Sequence, residues 1–275
     1  MPHIIDLSMP IESNSFDPKF LKADQIKHGP GGNKIWRALH FPKKAPLWKK
    51  VINLRKFYKN RKIFNKDSFP DSMFLSDEIL TLSVHCGTHL DAPFHYGPQC
   101  EGKPSKYIHE IPLDWCFSDG VVLDLTSKQA GSVITKKDLQ AALKLIDYEI
   151  KPMDIVLIRT DYDKLWPQKS YFTDHPGMSK DATKWLLDQG VKVIGIDTNG
   201  FDLPFMHMVT RFMNSRNQED LWPCHMLGRK SEYVHIERLA GLDQLKVPFG
   251  FKIACFPVAV KNAGASWIRA VAIIN

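Results

Sequence analysis

An α/β fold built on a mixed, partly parallel sheet is what this sequence predicts, on three observations. Two nearly continuous apolar runs, "DIVLIRT" (154–160) and "VKVIGID" (191–197), have the composition of strands covered on both faces. A helical stretch, "SKDATKWLLDQG", separates them, and the order strand, helix, strand implies a crossover between parallel strands. The 275 residues are 44% hydrophobic and 24% charged, with no internal repeat, low-complexity tract or Gly/Ser linker. That composition suits one soluble domain spanning 1–275.

Taken in order, "IIDLSMPI" predicts an opening strand, followed by a basic insertion at about 12–76 that is rich in Lys, Pro, Phe and Asn. Within it, residues 41–66 hold ten Lys or Arg and no acid, so the net charge of +7 comes from this segment alone. Leu47, Val51, Leu54 and Tyr58 recur there at helical spacing, with Trp48 and Phe57 near the same stripe. The pattern predicts a short amphipathic basic helix, docked by its stripe with its lysines in water. An acidic partner, an anionic substrate or a membrane surface are the alternatives; nucleic acid is not expected, because no recognised module accompanies the patch.

"EILTLSVH" (78–85) alternates as a half-buried strand would, and is expected to deliver His85 at its end. "GVVLDL" (120–125) is a second strong strand. A helix is expected from about Lys136, with Thr135 as N-cap and Asp138 placed for a capping box. The later helix takes Ser179 as N-cap and Gly190 as its stop, and "FGFKIACFPVAV" and "SWIRAVAIIN" supply closing strands. Thr160, Asp161 and Asp197, at strand ends, would lie on the edge where α/β proteins bind ligands. Five cysteines with no CxxC pair argue against a disulfide framework or a thiolate zinc site, and Cys86 and Cys224 are read as buried spectators. No apolar stretch approaches the roughly 18 residues of a membrane span, and a cytoplasmic protein is expected.

The chemistry concentrates in "HCGTHLDAPFH", residues 85–95. Gly87, Thr88 and Pro93 argue against a helix, whereas in extended backbone His85, His89, Asp91 and His95, all odd-numbered, project to one side. Two imidazoles and a carboxylate suit a divalent ion such as Zn²⁺, Mn²⁺ or Fe²⁺, and three protein ligands leave a place for water. That arrangement serves attack on a carbonyl, with His95 just outside as general acid or base. His225 and Glu237, twelve apart, are candidates to complete the site from neighbouring strands or from a loop and the strand after it. His3, His28, His40, His109, His175, His207 and His235 have no spacing argument and are read as surface or core residues. Trp48, Phe94, Trp222 and Trp267 are read as packing, with the lining of a pocket for a flat substrate as the alternative.

"SVHCGTHLDAPFH" resembles the HxGTHxDxPxH signature of the putative cyclase superfamily, which contains kynurenine formamidases, isatin hydrolase and cyclases of aromatic polyketide pathways. "IIDLSMPI", "DIVLIRT", "HPGMSKDATKWLLDQGVKVIGIDTNGFD", "CHMLGRKSEYVHIERLAGLDQL" and "AGASWIRAVAII" extend the resemblance over most of residues 77–275 and the first ten. It implies a swivelling β/α/β fold, a homodimer or higher homo-oligomer, and a divalent metal, Zn or Mn, as one or two ions. Position by position, His85, His89 and Asp91 match metal ligands, His95 the catalytic acid/base, and His225 and Glu237 a second metal position. The basic insertion, Gly200 in place of the family's Ser, and Trp267-Ile268 in place of its Pro region depart from the pattern.

The activity so implied is metal-dependent hydrolysis of an amide, lactam or ester carbonyl in a small cyclic or aromatic substrate. One alternative is a metal-dependent cyclase or dehydratase acting on a polyketide-like intermediate, brought by an acidic carrier protein to the basic segment. The other is a binding protein with a structural metal.

Overall fold

The two apolar runs become neighbouring parallel strands in the middle of a nine-stranded sheet. In chain order its strands are β1 (His3–Asp6), β2 (His89–Asp91), β3 (Phe117–Asp124), β4 (Ile155–Arg159), β5 (Val193–Ile196), β6 (Val234–Glu237), β7 (Phe249–Ala254), β8 (Ala265–Trp267) and β9 (Val271–Ile274). Side by side they run β1, β9, β7, β3, β4, β5, β6, β2, β8. Strands β3 to β6 are parallel, and every pairing outside them is antiparallel. Helices α1 (Pro93–Tyr96), α2 (Lys136–Leu145), α3 (Lys180–Asp188) and α4 (Pro223–Leu227) fall in successive intervals from β2 to β6, the last two of which also hold the helices Lys169–Thr173 and Phe205–Ser215.

The expected helix signals are present as hydrogen bonds. Thr135 Oγ1 accepts from Asp138 N, and the Asp138 carboxylate accepts from Thr135 N at 2.7 Å, a complete capping box for α2. Ser179 Oγ accepts from Ala182 N at the start of α3. Each such cap stabilises its helix by about 1 kcal/mol. Gly190, with φ +88°, ends the turn after α3 in a conformation that a side chain would strain.

Strand alternation divides the core between the two faces of the sheet. Ile155 and Leu157 of β4, with Leu90 of β2 and Ile236 of β6, join one buried cluster. Val156 and Ile158 point the other way, packing with Leu139 and Leu143 of α2 and Ala182 and Leu186 of α3. This two-sided burial is why β4 and β5 read as unbroken apolar runs rather than as alternating ones.

The computed structural model describes residues 2–12, 16–17, 21–28, 46–60 and 68–274. It divides into two compact units, Met1–Phe20 with Ser83–Asn275, and Leu21–Leu82. The second unit pairs Leu21–Ile26 antiparallel with Asp77–Leu82 and contains the helix Leu47–Asn60. Two expectations fail there. The strand at 77–82 is not half-buried, since Ile79 and Leu80 on its opposite faces are both exposed, and it ends three residues before His85. The helix forms at the expected place, yet its stripe is exposed, Leu47 by 79% and Val51 by 64%. Periodicity reports which residues share a face, not whether that face is covered. Residues 41–45 and 61–66 of the basic segment lie outside the described residues. No disulfide joins the five cysteines, all buried, and no helix among the described residues is long and apolar enough to cross a membrane.

Candidate metal centre

The centre is organised by one antiparallel pairing. In the register of β2 against β6, Asp91 lies opposite His235 and His89 opposite Glu237. Leu90 and Ile236, between them, point into the core on the other face. Two polar i, i+2 pairs are thereby set side by side, at the roughly 5 Å spacing of cross-strand neighbours. His235 Nε2 lies 3.2 Å from Asp91 Oδ2 and 3.5 Å from Glu237 Oε1. His89 Nε2 lies 3.6 Å from Asp91 Oδ1 and 3.4 Å from Glu237 Oε2.

Three further histidines reach this patch from surrounding segments. His85 comes from a turn, its Nδ1 3.1 Å from Asp91 Oδ1. Gly87 follows with φ +62°, and a Cβ there would fall 2.8 Å from the Ile11 side chain, so both conformation and space call for glycine. His225, on α4, brings Nε2 to 3.8 Å from Asp91 Oδ2 and 3.9 Å from Glu237 Oε1. His95 sits on α1, with Nε2 3.6 Å from Asp91 Oδ2.

The four residues of the 85–95 signature therefore converge, but not by extended alternation. Only His89 and Asp91 are in a strand; His85 is on a turn, and Asp91 and His95 meet as an i, i+4 pair. Pro93, taken as an argument against a helix, instead begins one, because a first helical position needs neither an N–H nor a different φ.

Neighbouring groups fix how each imidazole faces. His89 Nδ1 donates to the Gly87 carbonyl at 2.9 Å. His225 Nδ1 donates to Asp202 Oδ2 at 2.6 Å, and the same carboxylate accepts from Cys224 N at 2.8 Å, anchoring the start of α4. His235 Nδ1 lies 3.1 Å from the Tyr96 hydroxyl, which donates to the Asp91 carbonyl at 3.1 Å. These partners assign the Nδ1–H tautomer to all three rings and aim Nε2 inward.

His89 Nε2, His235 Nε2 and both carboxylate oxygens of Asp91 are buried without a hydrogen-bond partner. Orphaned buried lone pairs are costly, and their convergence is the donor set a divalent cation satisfies. Burial alone would raise the pKa of Asp91, but His85, His95 and His89 outweigh it and hold the carboxyl well below its usual range. Glu237 is likewise pulled well below its usual range by His235 and His89 against burial. Two ionised carboxylates thus share a buried site. They overcome the burial of His235 and raise its pKa to about 9. Burial lowers His95 to about 4, with His85 and His225 adding to it and Asp91 opposing.

A cavity of about 450 Å³ opens onto the centre, lined by His85, His95 and His225 on that side and by Phe172, Phe205 and Trp222 among its walls. Phe205 and Trp222 stack with ring centres 5.3 Å apart. His175 also lines it; Nδ1 donates to the Pro176 carbonyl at 2.9 Å, and burial lowers the ring's pKa to about 4.

Sequence reasoning missed His235, His175, Tyr96 and Asp202. The signal for His235 was present: strand alternation through "VHIE" places it on the same face as Glu237. His175, Tyr96 and Asp202 carry no comparable pattern, since each acts through a contact between distant segments. The strand-end group expected on a ligand edge is tied to backbone instead. The Asp197 carboxylate accepts from Thr160 N and Asp161 N, both at 2.8 Å, and from the Thr160 hydroxyl, while burial raises it to about 7. Arg159 holds Asp161 at 2.7 Å.

A mixed α/β sheet with a buried cluster of histidines and carboxylates at the floor of an aromatic-walled cavity defines a metal-binding protein of enzyme type. The chain belongs to the family described as Putative cyclase, which matches residues 5–203. Kynurenine formamidase of Bacillus mycoides (strain KBAB4) is 24% identical over 193 residues, covering 70% of this chain and 77% of that protein. Isatin hydrolase of Roseibium aggregatum is 26% identical over 224 residues, covering 78% and 80%. The solved structure of isatin hydrolase A from Ralstonia solanacearum shares the fold, with a TM-score of 0.68 at 20% identity, covering 100% of this chain and 92% of that one.

Proposed function

We propose that this protein is a metal-dependent hydrolase that cleaves an amide, lactam or ester carbonyl in a small cyclic or aromatic molecule. In this reading His85, His89, Asp91, His225 and Glu237 hold the metal, zinc or manganese, as one or two ions, and His95 is the acid/base. In this reading it acts in the cytoplasm and, as the family resemblance implies, as a homodimer or larger homo-oligomer. The observation that carries the proposal is the set of orphaned, inward-facing donor atoms at the cavity floor. The relatives named kynurenine formamidase and isatin hydrolase favour hydrolysis over cyclisation of a carrier-bound intermediate.

A bound divalent ion supplies Lewis-acid polarisation of a carbonyl and a lowered pKa for adjacent water. The side chains do the rest. His95 keeps 35% of its side chain open, on the cavity side of Asp91. Its imidazole takes a proton from water as the water oxygen bonds to the carbonyl carbon, and gives it to the departing nitrogen or oxygen as that bond breaks. Phe172, Phe205 and Trp222 offer flat apolar faces to a ring and exclude bulk water. Asp202 keeps the His225 ring turned toward the centre.

The test is turnover of a panel of aryl-formamides, lactams and lactones by metal-replete protein, by chelated protein, and by chelated protein resupplied with zinc or manganese. Loss on chelation and recovery on resupply are expected; no turnover by the replete protein across the panel overturns the reading. His95→Ala is expected to keep its metal and lose about 10² to 10⁴ in rate.

A further inference from the structure

We infer that His235 is an additional protein ligand: it joins Asp91, His225 and Glu237 at the second of the two metal positions that the family resemblance implies, beside the one at His85 and His89. The inference rests on the metal-dependent reading and specifies how its centre is built.

The donor atoms separate cleanly. Asp91 Oδ2 and Glu237 Oε1 face His225 and His235, whereas Asp91 Oδ1 faces His85 and His89, and Glu237 Oε2 faces His89. Asp91 and Glu237 therefore each offer one oxygen to either side. Within the first group four of the six separations are 3.2, 3.5, 3.8 and 3.9 Å, and all lie within 4.8 Å. A tetrahedron with bonds near 2.0–2.1 Å has edges of about 3.3 Å, so the wider pairs must draw in around an ion.

The His235 side chain is 0% exposed and Asp91 1%, and the Tyr96 hydroxyl backs the His235 ring from behind. Asp91, His225 and Glu237 line the cavity together with His85, so His235 closes the set from the buried side. Four protein ligands fill a tetrahedral set, whereas three leave a place for water. His95 is 3.6 Å from Asp91 Oδ2 but lies on the cavity side, and is left for proton transfer. Geometrically, His235 owes its place to its register opposite Asp91 and to its i, i+2 relation with Glu237.

The experiment counts metal and measures affinity, independently of turnover. Protein reconstituted with Co²⁺ or Zn²⁺ is titrated with a competing chelator and analysed for metal content, and the Co²⁺ form is followed by its visible absorption, which reports coordination geometry. The parent is expected to bind two equivalents per chain in a tight and a weaker class. His235→Leu, which fills the same buried space, is expected to weaken the tight class at least tenfold, with loss of its four-coordinate absorption, and to leave the weaker class in place. Tyr96→Phe keeps the ligand and removes its support, and is expected to weaken the same class several-fold; it carries the test if His235→Leu does not fold. Unchanged affinities in the variants, or a single equivalent in the parent that His235→Leu retains, would overturn the inference while leaving hydrolysis intact. A parent that binds no metal and turns over no substrate would overturn the proposed function, and this inference with it.

Discussion

Two buried aspartates at strand ends, Asp91 and Asp197, have opposite relations to their surroundings. Asp197 spends its lone pairs on two backbone N–H groups and a hydroxyl, and ties the end of β4 to the end of β5. Asp91 has its main-chain carbonyl satisfied by Tyr96, yet both carboxylate oxygens are left without a hydrogen bond among converging imidazoles. Burial and residue type are the same at both. What separates a joint from a binding site is whether the local backbone has already claimed the lone pairs.

Exchanging each carboxylate for its amide is the sharpest way to break the comparison. Asp91→Asn is expected to release metal from both positions and reduce turnover to background while leaving the fold in place, as metal analysis and circular dichroism of one preparation would record. Asp197→Asn is expected to do the reverse. Metal content stays at the parent level, and chemical denaturation at pH 8 shows a loss of about 1–3 kcal/mol, because an amide offers one acceptor oxygen where three donors converge. Equal metal loss in both variants would erase the distinction.

His175 sharpens it from another side, as a third buried titratable group whose ring points toward neither aspartate's role. Its pKa is lowered to about 4 in the fold against 6.5 when unfolded. Between those values the unfolded chain binds a proton that the folded chain does not, so stability rises with pH across pH 4 to 6.5. The contribution present above pH 6.5 is lost as pH falls toward 4, and amounts to about 3 kcal/mol at most. Denaturation midpoints of His175→Gln are expected to be flatter over that window than those of the parent; an identical acid limb would assign the slope to other groups.

The legibility of these features in the sequence followed their range along the chain. Apolar runs, the Thr135 and Ser179 caps and the central parallel strands are local patterns, and they appear where they were expected. The signature at 85–95 was legible as a cluster, although its mode of convergence was not, because Pro93 can both end and begin a helix. His235 has no telling spacing to another histidine, and only its alternation with Glu237 on the same strand marks it. Asp202 and Tyr96 support rings 23 and 139 residues away, respectively, and no local pattern encodes such a contact. The exposed stripe of the helix Leu47–Asn60 shows the converse limit, a clear periodicity whose covering the sequence does not specify.

The pairing of β2 with β6 also bears on how the centre comes into being. A slip of one residue would turn His89 and Asp91 into the apolar core and Leu90 out of it, so the hydrophobic pattern alone selects the productive alignment. The donors are consequently in place before any ion arrives, and cation binding can strengthen the native state without having to create it. Loading is then a matter of exchange with whatever divalent ions the surroundings supply, rather than a step in acquiring the fold.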